Sequence, residues 1–229
     1  PLTVFLCLAI WCGFRFVHSS GGPGRDRWRY GFYGCCALAF LTKGVIGVVF
    51  PPAVLIIYLL WSRRWRDIPR IFSPGGIVIF AVPVGAWLLL VQRANPDFFW
   101  FFFIHEHFLR YTTEIHERVA PFWYYLPVVF FGVTPWWAYL LTAIAGVRRG
   151  GMMKLFRSEE SRFFAVWTGF IMLFFSFSSS KLASYIAPVI LPLSVIMGHL
   201  FRVYEEKDRG TTRNSGPVWP LLPQVLQSL

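Results

Sequence analysis

Long apolar stretches alternate with short basic links along the chain, and this alternation limits the possible folds more than any other feature. The apolar stretches comprise residues 2–17, 30–42, 45–61, 76–92, 123–147, 162–179 and 183–201. Most approach the roughly 17–25 residues that an α-helix needs to cross a hydrocarbon core of about 30 Å. Hydrophobic residues make up 56% of the 229 positions and charged residues 14%, which excludes a disordered chain and a soluble enzyme. The sequence predicts an all-α, polytopic integral membrane protein with about seven membrane segments.

The net charge of +11 indicates membrane topology rather than nucleic-acid binding, because the basic residues are concentrated in four links. The residues in these links are Arg15, Arg25, Arg27, Arg29, Arg63, Arg64, Arg66, Arg70, Arg148, Arg149, Lys154, Arg157, Arg162, Arg202, Lys207, Arg209 and Arg213. The positive-inside rule predicts that all four links are cytoplasmic. Residues 93–122 and 180–182 are then expected outside. We expect membrane lipids as partners and no nucleic acid.

This topology divides the chain into a multi-span transmembrane region, residues 1–201, and a basic cytoplasmic tail with a truncated C-terminus, residues 202–229. An outer amphipathic loop at about 93–122 opens with the aromatic run DFFWFFFI, which suits the membrane interface. Four charged residues then recur at helical spacing: Glu106, Arg110, Glu114 and Arg118. This spacing predicts a helix along the outer membrane surface. After Pro121 breaks that helix, Trp123, Tyr124 and Tyr125 are expected to anchor the next crossing at the interface.

Lys43 is the most conspicuous single residue, because it lies between two apolar stretches that are each short for a full span. We interpret Thr42-Lys43-Gly44 as a tight turn at or just below the outer surface. A lysine at the centre of a membrane helix costs about 2.5–3.5 kcal/mol on insertion scales, so its charge needs an anionic partner. A phosphate or carboxylate ligand would supply that partner. The alternative is a lysine that extends to the lipid headgroups.

Further candidates lie on the same predicted face. Lys181 interrupts the apolar sequence in FSFSSSKLASYIAP, and Tyr185 follows one helical turn later. Lys181 is either an interfacial anchor or a second ligand of the same anion, to which the Tyr185 hydroxyl could donate. Together with Lys43, Arg110 and Arg118 they predict an anionic, lipid-linked ligand, because ammonium and guanidinium groups are the usual partners of phosphate.

Three of the five histidines lie within twelve residues of the outer loop: His105, His107 and His116. In a helix, His105 and His107 would stand about 200° apart, so they could not bind one ion from a single face. One histidine with a carboxylate from elsewhere remains possible as a site for a divalent metal. No other cofactor is expected.

Three stretches resemble the family of protein O-mannosyltransferases and lipid A aminoarabinose transferases, which are glycosyltransferases of the GT-C fold. The stretches are residues 39–51 (AFLTKGVIGVVFP), 105–136 (HEHFLRYTTEIHERVAPFWYYLPVVFFGVTPW) and 175–198 (FSFSSSKLASYIAPVILPLSVIMG). The resemblance implies an enzyme that transfers a sugar from a polyprenyl-phosphate donor to a glycan, lipid A or protein acceptor. It also implies a multi-pass protein of the bacterial inner membrane whose active face is periplasmic.

By position in these stretches, the resemblance implies that Lys43, Arg110 and Lys181 lie near the carrier phosphate, with Tyr185 close by. His107 matches a histidine that can join a metal site. The family's catalytic base is a carboxylate of an early outer loop, and no residue of this sequence matches it. We therefore expect the base, and the first helices, upstream of this chain. The catalytic residue is then unknown, and this chain alone is expected to be inactive.

Two rival interpretations remain. A transporter or flippase of a lipid-linked anionic substrate would place the polar groups near the middle of the bilayer, open to either side. A non-catalytic membrane scaffold would use the basic residues only as anchors. Under that interpretation, Lys43→Ala would leave the binding of lipid phosphate unchanged.

Overall fold

The structure is a computed structural model, and it describes residues 1–19, 22–102, 120–134, 158–178 and 181–208. The α-helices in these ranges are α1 (Leu2–His18), α2 (Pro23–Lys43), α3 (Ile46–Trp61), α4 (Pro74–Ala94), α5 (Tyr125–Gly132), α6 (Glu159–Phe177) and α7 (Ile190–Asp208). Three 3₁₀ helices comprise Trp65–Ile71, Phe122–Tyr124 and Ala183–Val189. Every regular element of the described residues is helical, which confirms the predicted all-α class.

Aromatic side chains from three helices form the centre of the bundle. Phe14 of α1 packs against Phe163 of α6 with ring centroids 4.3 Å apart, and against Tyr58 of α3 at 5.8 Å. Trp167 of α6 is fully buried beside Phe163. Burial of one large apolar side chain contributes about 1.5–3 kcal/mol. These contacts hold α1, α3 and α6 together, and α2 packs against the outside of α1 and α3.

A two-residue link, Gly44 and Val45, joins α2 to α3, which confirms a tight turn between the two helices. Thr42 and Lys43 were predicted in this turn but end α2 instead, and the place of the turn at the outer surface stays a prediction. Gly44 has φ 78° and ψ −141°, a region that side chains strongly disfavour, and its N–H donates to the Phe40 carbonyl at 2.6 Å. A Cβ on Gly47 would overlap the backbone of Ala39 and Phe40. The first turn of α3 therefore presses directly on the last turn of α2. This close contact fixes the position of Lys43.

Helix α2 begins at Pro23, so the predicted start at residue 30 and the predicted short length are wrong. Pro23 occupies the first helical turn, where its missing N–H costs nothing. Asp26 lies in the first turn, where a negative charge complements the helix dipole, and it pairs with Arg29 at 2.8 Å. The charges that suggested a link are thus compatible with a helix of 21 residues.

The last apolar stretch, predicted as one helix over 183–201, also differs. Its first seven residues form the 3₁₀ helix Ala183–Val189, which contains Pro188. A proline inside a helix removes one backbone donor, which disfavours the regular α-helical pattern there. The following α7 continues to Asp208, so the predicted boundary between 201 and 202 falls inside a helix.

The predicted outer loop is described only at its two ends. Arg93 lies in the last turn of α4, and residues 98–102 form a helical turn. Phe98 and Phe102 of the aromatic run pack against Trp87 of α4 with centroid distances of 5.6 and 6.1 Å. The surface helix predicted around 106–118 lies outside the described residues, as does the second half of the segment predicted at 123–147.

By length and composition, one helix of the described residues could cross a membrane unaided, namely Pro74–Ala94. Much of its surface is exposed, for Val82, Leu89 and Leu90 are each at least 60% exposed. Shorter apolar helical stretches are Leu2–His18, Ile46–Trp61, Phe122–Gly132 and Ala183–His199. One helix of this length is weak support for a protein with many membrane spans, so the number of about seven membrane segments stays a prediction.

Candidate functional site

Lys43 and Tyr185, which the family resemblance predicts to lie near each other, are in contact. The Lys43 Nζ atom lies 4.5 Å from the centroid of the Tyr185 ring. A cation over the face of an aromatic ring is attracted by the ring quadrupole, by roughly 0.5–1 kcal/mol at an exposed site. Lys43 is exposed and Tyr185 is half-buried. The contact brings an exposed lysine and a half-buried tyrosine together at the end of α2.

Lys181 lies on the turn between α6 and the 3₁₀ helix Ala183–Val189. Its side chain is buried, with 8% of the residue exposed, and its Nζ donates to the Ser178 carbonyl at 2.6 Å. Within the described ranges, no carboxylate lies at ion-pair distance from it. Burying a charge without an opposite charge is unfavourable. This ammonium therefore favours an anion as its partner.

Tyr125 holds this turn in place, and its role was not predicted. Its hydroxyl accepts the Leu182 N–H at 3.3 Å, and its ring lies 6.5 Å from Phe175, which in turn lies 5.1 Å from Tyr185. Tyr125 is fully buried, so it packs inside the protein, and its predicted place at the membrane interface stays a prediction. Trp123, in contrast, is 59% exposed. The only sequence signal was membership of the Pro-Phe-Trp-Tyr-Tyr element, which does not distinguish a buried ring from an interfacial one.

An apolar groove of about 600 Å³ adjoins the turn. Helix α5 lines one wall with Val129, and the 3₁₀ helix and α7 line the other with Ile186 and Leu193. Ser184, the neighbour of Tyr185, lies at the same groove. The groove therefore borders the segment of chain that carries Tyr185. We call Lys43, Lys181 and Tyr185 the lysine–tyrosine site.

Arg110, Arg118 and His107, the remaining predicted site residues, lie outside the described residues. In the ranges that the structure covers, no group of three or more His, Cys, Asp or Glu residues is arranged to hold a metal ion. The predicted metal site would include residues beyond those ranges. It stays a prediction.

A second polar cluster lies at the other end of the bundle. His18 Nε2 lies 2.8 Å from a Glu159 carboxylate oxygen and 3.1 Å from the Tyr58 hydroxyl. Arg64 pairs with Asp67 at 3.0 Å and approaches Glu159 at 3.6 Å. We call these five residues the ion-pair network. Since α3 has 16 residues, its two ends are about 24 Å apart, so the network is well separated from the lysine–tyrosine site.

The described residues form a bundle of largely apolar helices, with an exposed lysine and a buried lysine at one end. Comparison with known proteins shows which family has this bundle. Residues 1–88 match the family described as dolichyl-phosphate-mannose-protein mannosyltransferase.

The chain is also similar to undecaprenyl phosphate-α-4-amino-4-deoxy-L-arabinose arabinosyl transferases. The relative from Aeromonas hydrophila is 32% identical over 185 residues, which are 80% of this chain and 33% of the relative. The one from Pseudomonas aeruginosa is 35% identical over 166 residues, 72% of this chain and 29% of the relative.

Solved structures agree with these matches. The crystal structure of ArnT from Cupriavidus metallidurans bound to undecaprenyl phosphate has a TM-score of 0.73 and 32% identity, over 87% of this chain and 35% of that protein. Its apo state gives a TM-score of 0.71 at 30% identity. The chain belongs to the protein O-mannosyltransferase and lipid A aminoarabinose transferase family, a group of GT-C glycosyltransferases. It spans about a third of the length of the curated relatives it matches.

Proposed function

We propose that this chain forms the donor-binding part of a membrane glycosyltransferase whose sugar donor is carried on a polyprenyl phosphate. The contact between Lys43 and Tyr185 is the observation that carries the proposal, since it joins two candidate phosphate partners from distant parts of the sequence. The names of the relatives support the same donor class, and one solved relative holds undecaprenyl phosphate. They also make aminoarabinose the proposed sugar, and the family resemblance makes lipid A a proposed acceptor.

In the proposed reaction, an acceptor hydroxyl displaces the carrier phosphate at the anomeric carbon of the sugar. The bond from that carbon to the phosphate oxygen breaks, and its electron pair leaves with the phosphate. Lys43 and Lys181 stabilise this growing negative charge, and the Tyr185 hydroxyl donates to it. A carboxylate base would take the hydroxyl proton. Because no residue here matches that base, we assign it to another part of the full-length protein.

The apolar groove extends the proposal to the lipid part of the donor. An isoprenoid chain has no polar groups, so it binds an apolar surface through the hydrophobic effect. The groove between α5 and α7 presents such a surface next to Ser184. We assign to it the isoprenoid units nearest the phosphate.

The remaining assignments follow from the family resemblance. Arg110 and Arg118 are proposed as further phosphate ligands, and His107 as a ligand of a divalent metal ion. The protein is proposed to span the bacterial inner membrane, with its active face in the periplasm. Arg110, Arg118 and His107 lie outside the described ranges, so their assignments rest on the sequence alone.

The enzyme interpretation is better supported than the transporter alternative. A transporter is expected to place its ligand-binding groups on broken helices near the middle of the bilayer. Here Lys43 is the last residue of α2, and Lys181 follows the end of α6. Groups at the helix ends suit a site that opens on one face.

The test is sugar transfer by the complete protein with Lys43→Ala, using undecaprenyl-phosphate aminoarabinose as donor and lipid A as acceptor. Loss of one group that stabilises charge in the transition state lowers kcat by roughly 100-fold or more, and we expect a loss of this size. Arg93→Ala is the matched control, because Arg93 is an exposed cation in the last turn of α4. Wild-type transfer by Lys43→Ala would overturn the phosphate role of Lys43.

A further inference from the structure

Three large aromatic side chains are exposed on the connection between α3 and α4, which we call the α3–α4 connection (residues 61–72). Trp61 is 51% exposed, Trp65 61% and Phe72 60%. Water contact at so much aromatic surface is unfavourable. Tryptophan side chains are enriched where a protein meets the headgroup region of a bilayer. These three side chains therefore mark a surface that a lipid headgroup region would cover.

The same connection carries arginines with and without carboxylate partners. Arg64 and Arg70 both pair with Asp67. Arg63 and Arg66 are exposed and form no ion pair with any described residue. Arg66 lies over the Trp65 ring, 5.7 Å from its centroid. The exposed aromatic surface thus lies beside two positive charges that the described part of the protein does not balance.

The backbone of Arg63 shows that an arginine is unexpected at this position. Arg63 has φ 56°, in the left-handed region, and is the only described residue other than glycine with a positive φ. It terminates α3, because its N–H donates to the Leu60 carbonyl at 3.1 Å and the Arg64 N–H donates to the Leu59 carbonyl at 2.8 Å. Glycine is the residue that this helix-ending motif favours. An arginine at this position strains the backbone, which favours a functional role for its side chain.

The exposure of these aromatic side chains does not result from a loosely attached connection. The Tyr33 hydroxyl accepts the Ser73 N–H at 2.9 Å and donates to the Ile71 carbonyl. Ile71 itself is 2% exposed. One side of the connection is therefore fixed to α2, and the other side presents Trp65 and Phe72 outward.

The exposed residues next to the connection are apolar. Ile57 and Leu60 precede it on α3, and Ile77 and Val78 follow it on α4. Leu60 and Trp61 share a helix face with Ile57, because they follow it by three and four residues. Apolar, aromatic and then cationic side chains follow each other along this surface. The same order is found in a bilayer, from hydrocarbon through the interface to the phosphates.

We propose that the α3–α4 connection binds anionic phospholipid headgroups. Arg63 and Arg66 contact the lipid phosphates, while Trp61, Trp65 and Phe72 lie in the interface beneath them. The ligand is a phospholipid of the surrounding bilayer and not the sugar donor, because Lys43 lies at the other end of α3, about 24 Å away. The proposal therefore does not depend on the proposed enzymatic function.

The test compares phosphatidylglycerol with phosphatidylcholine on the detergent-purified chain, with the retained lipid measured by native mass spectrometry. The variants are Arg66→Gln and the double variant Arg63→Gly with Arg66→Gln, and Arg93→Gln is the control. A basic residue near an anionic surface strengthens binding by about fivefold. We expect wild type to prefer phosphatidylglycerol, Arg66→Gln to lose about fivefold of that preference, and the double variant to lose most of it.

The control should keep the wild-type preference, because Arg93 lies at the opposite end of α4. Equal lipid preference in wild type and the double variant would overturn the proposal. An equal loss in Arg93→Gln would also overturn it, since net charge rather than this surface would then bind the lipid. Arg63→Gly alone tests folding, because glycine suits the backbone there. It should melt no lower than wild type while it loses affinity for phosphatidylglycerol.

Discussion

The ion-pair network and the lysine–tyrosine site lie at opposite ends of α3 and α6, and their charges are satisfied differently. In the network, the Glu159 carboxylate lies 2.8 Å from the His18 ring and 3.6 Å from Arg64, and Asp67 pairs with Arg64 at 3.0 Å. At the other end, the buried Lys181 donates to a carbonyl, and no described carboxylate pairs with it. The network contains its own carboxylates, whereas the described residues supply none to the buried lysine of the site.

Charged side chains at the two ends of the bundle are thus expected to affect different properties, stability at one end and ligand affinity at the other. The partly exposed charge pairs of the network add modest stability to the fold. A buried ammonium without a carboxylate is unfavourable until an anion binds. Mutations in the network should therefore act on stability, and mutations in the site should act on ligand affinity. The predictions below test this separation, from the largest expected effect to the smallest.

Lys181→Met should separate affinity from stability most clearly. We expect the dissociation constant for undecaprenyl phosphate to rise about 100-fold, because the phosphate loses a charge-assisted hydrogen bond in a site with little water. The melting temperature should stay the same or rise, because methionine replaces a buried charge with an apolar chain of similar length. A titration of the complete protein with undecaprenyl phosphate and a thermal melt measure the two effects.

Arg93→Met provides the control for Lys181→Met, because it removes an exposed positive charge from the end of α4. It should change neither quantity. If Lys181→Met lowered the melting temperature and left the dissociation constant unchanged, Lys181 would be a structural residue like those of the network. The comparison between the two ends would then fail.

Gly47→Ala should affect both fold and site, since a Cβ there would overlap the backbone of α2 just before Lys43. Overpacking of this kind costs about 1–3 kcal/mol. We expect a lower melting temperature together with weaker binding of undecaprenyl phosphate. The control is Gly34→Ala in α2, where a Cβ meets no other atom within 4 Å. Alanine there should stabilise the helix by about 0.5–1 kcal/mol. Equal melting temperatures for the two variants would contradict the close contact between α2 and α3.

Glu159→Gln should lower stability and leave the site unchanged. It removes the negative charge that faces His18 and Arg64, and the loss should be about 1 kcal/mol because the Glu159 side chain is 43% exposed. The measurement is a thermal melt beside a titration with undecaprenyl phosphate. Glu160→Gln is the control, because Glu160 lies in the same first turn of α6 and pairs with no described residue. A change in phosphate affinity without a change in melting temperature would contradict the separation of the two ends.

The sequence was sufficient to predict the helical class, the turn at Gly44 and the nearness of Lys43 to Tyr185. The length of the apolar stretches predicts the helical class, and the glycine predicts the turn, because both signals act locally. The nearness of Lys43 to Tyr185 is predicted by the family resemblance, since no local rule relates residues so far apart. Arg110, Arg118 and His107 stay predictions.

Other features depended on tertiary packing and could not be predicted. The contact of His18 with Glu159 joins residues 141 positions apart, and nothing in either segment indicates the other. The sequence does not predict the start of α2 at Pro23, because the charges before residue 30 indicate a link, although a helix also accommodates charges in its first turn. Arg63 was interpreted only as a topology signal, since its left-handed backbone is visible only in the structure.

Tyr125→Phe is the smallest change and tests how firmly the site is held. Tyr125 touches no proposed ligand; its hydroxyl accepts the Leu182 N–H next to Lys181, so it is a positioning residue. Phenylalanine keeps the ring packing on Phe175 but removes the acceptor, which costs about 0.5–1.5 kcal/mol. We expect a slightly lower melting temperature and a few-fold weaker binding of undecaprenyl phosphate. Tyr124→Phe is the control, because no described residue bonds to the Tyr124 hydroxyl. If both variants bound undecaprenyl phosphate like wild type, the lysine–tyrosine site would be held by ring packing alone.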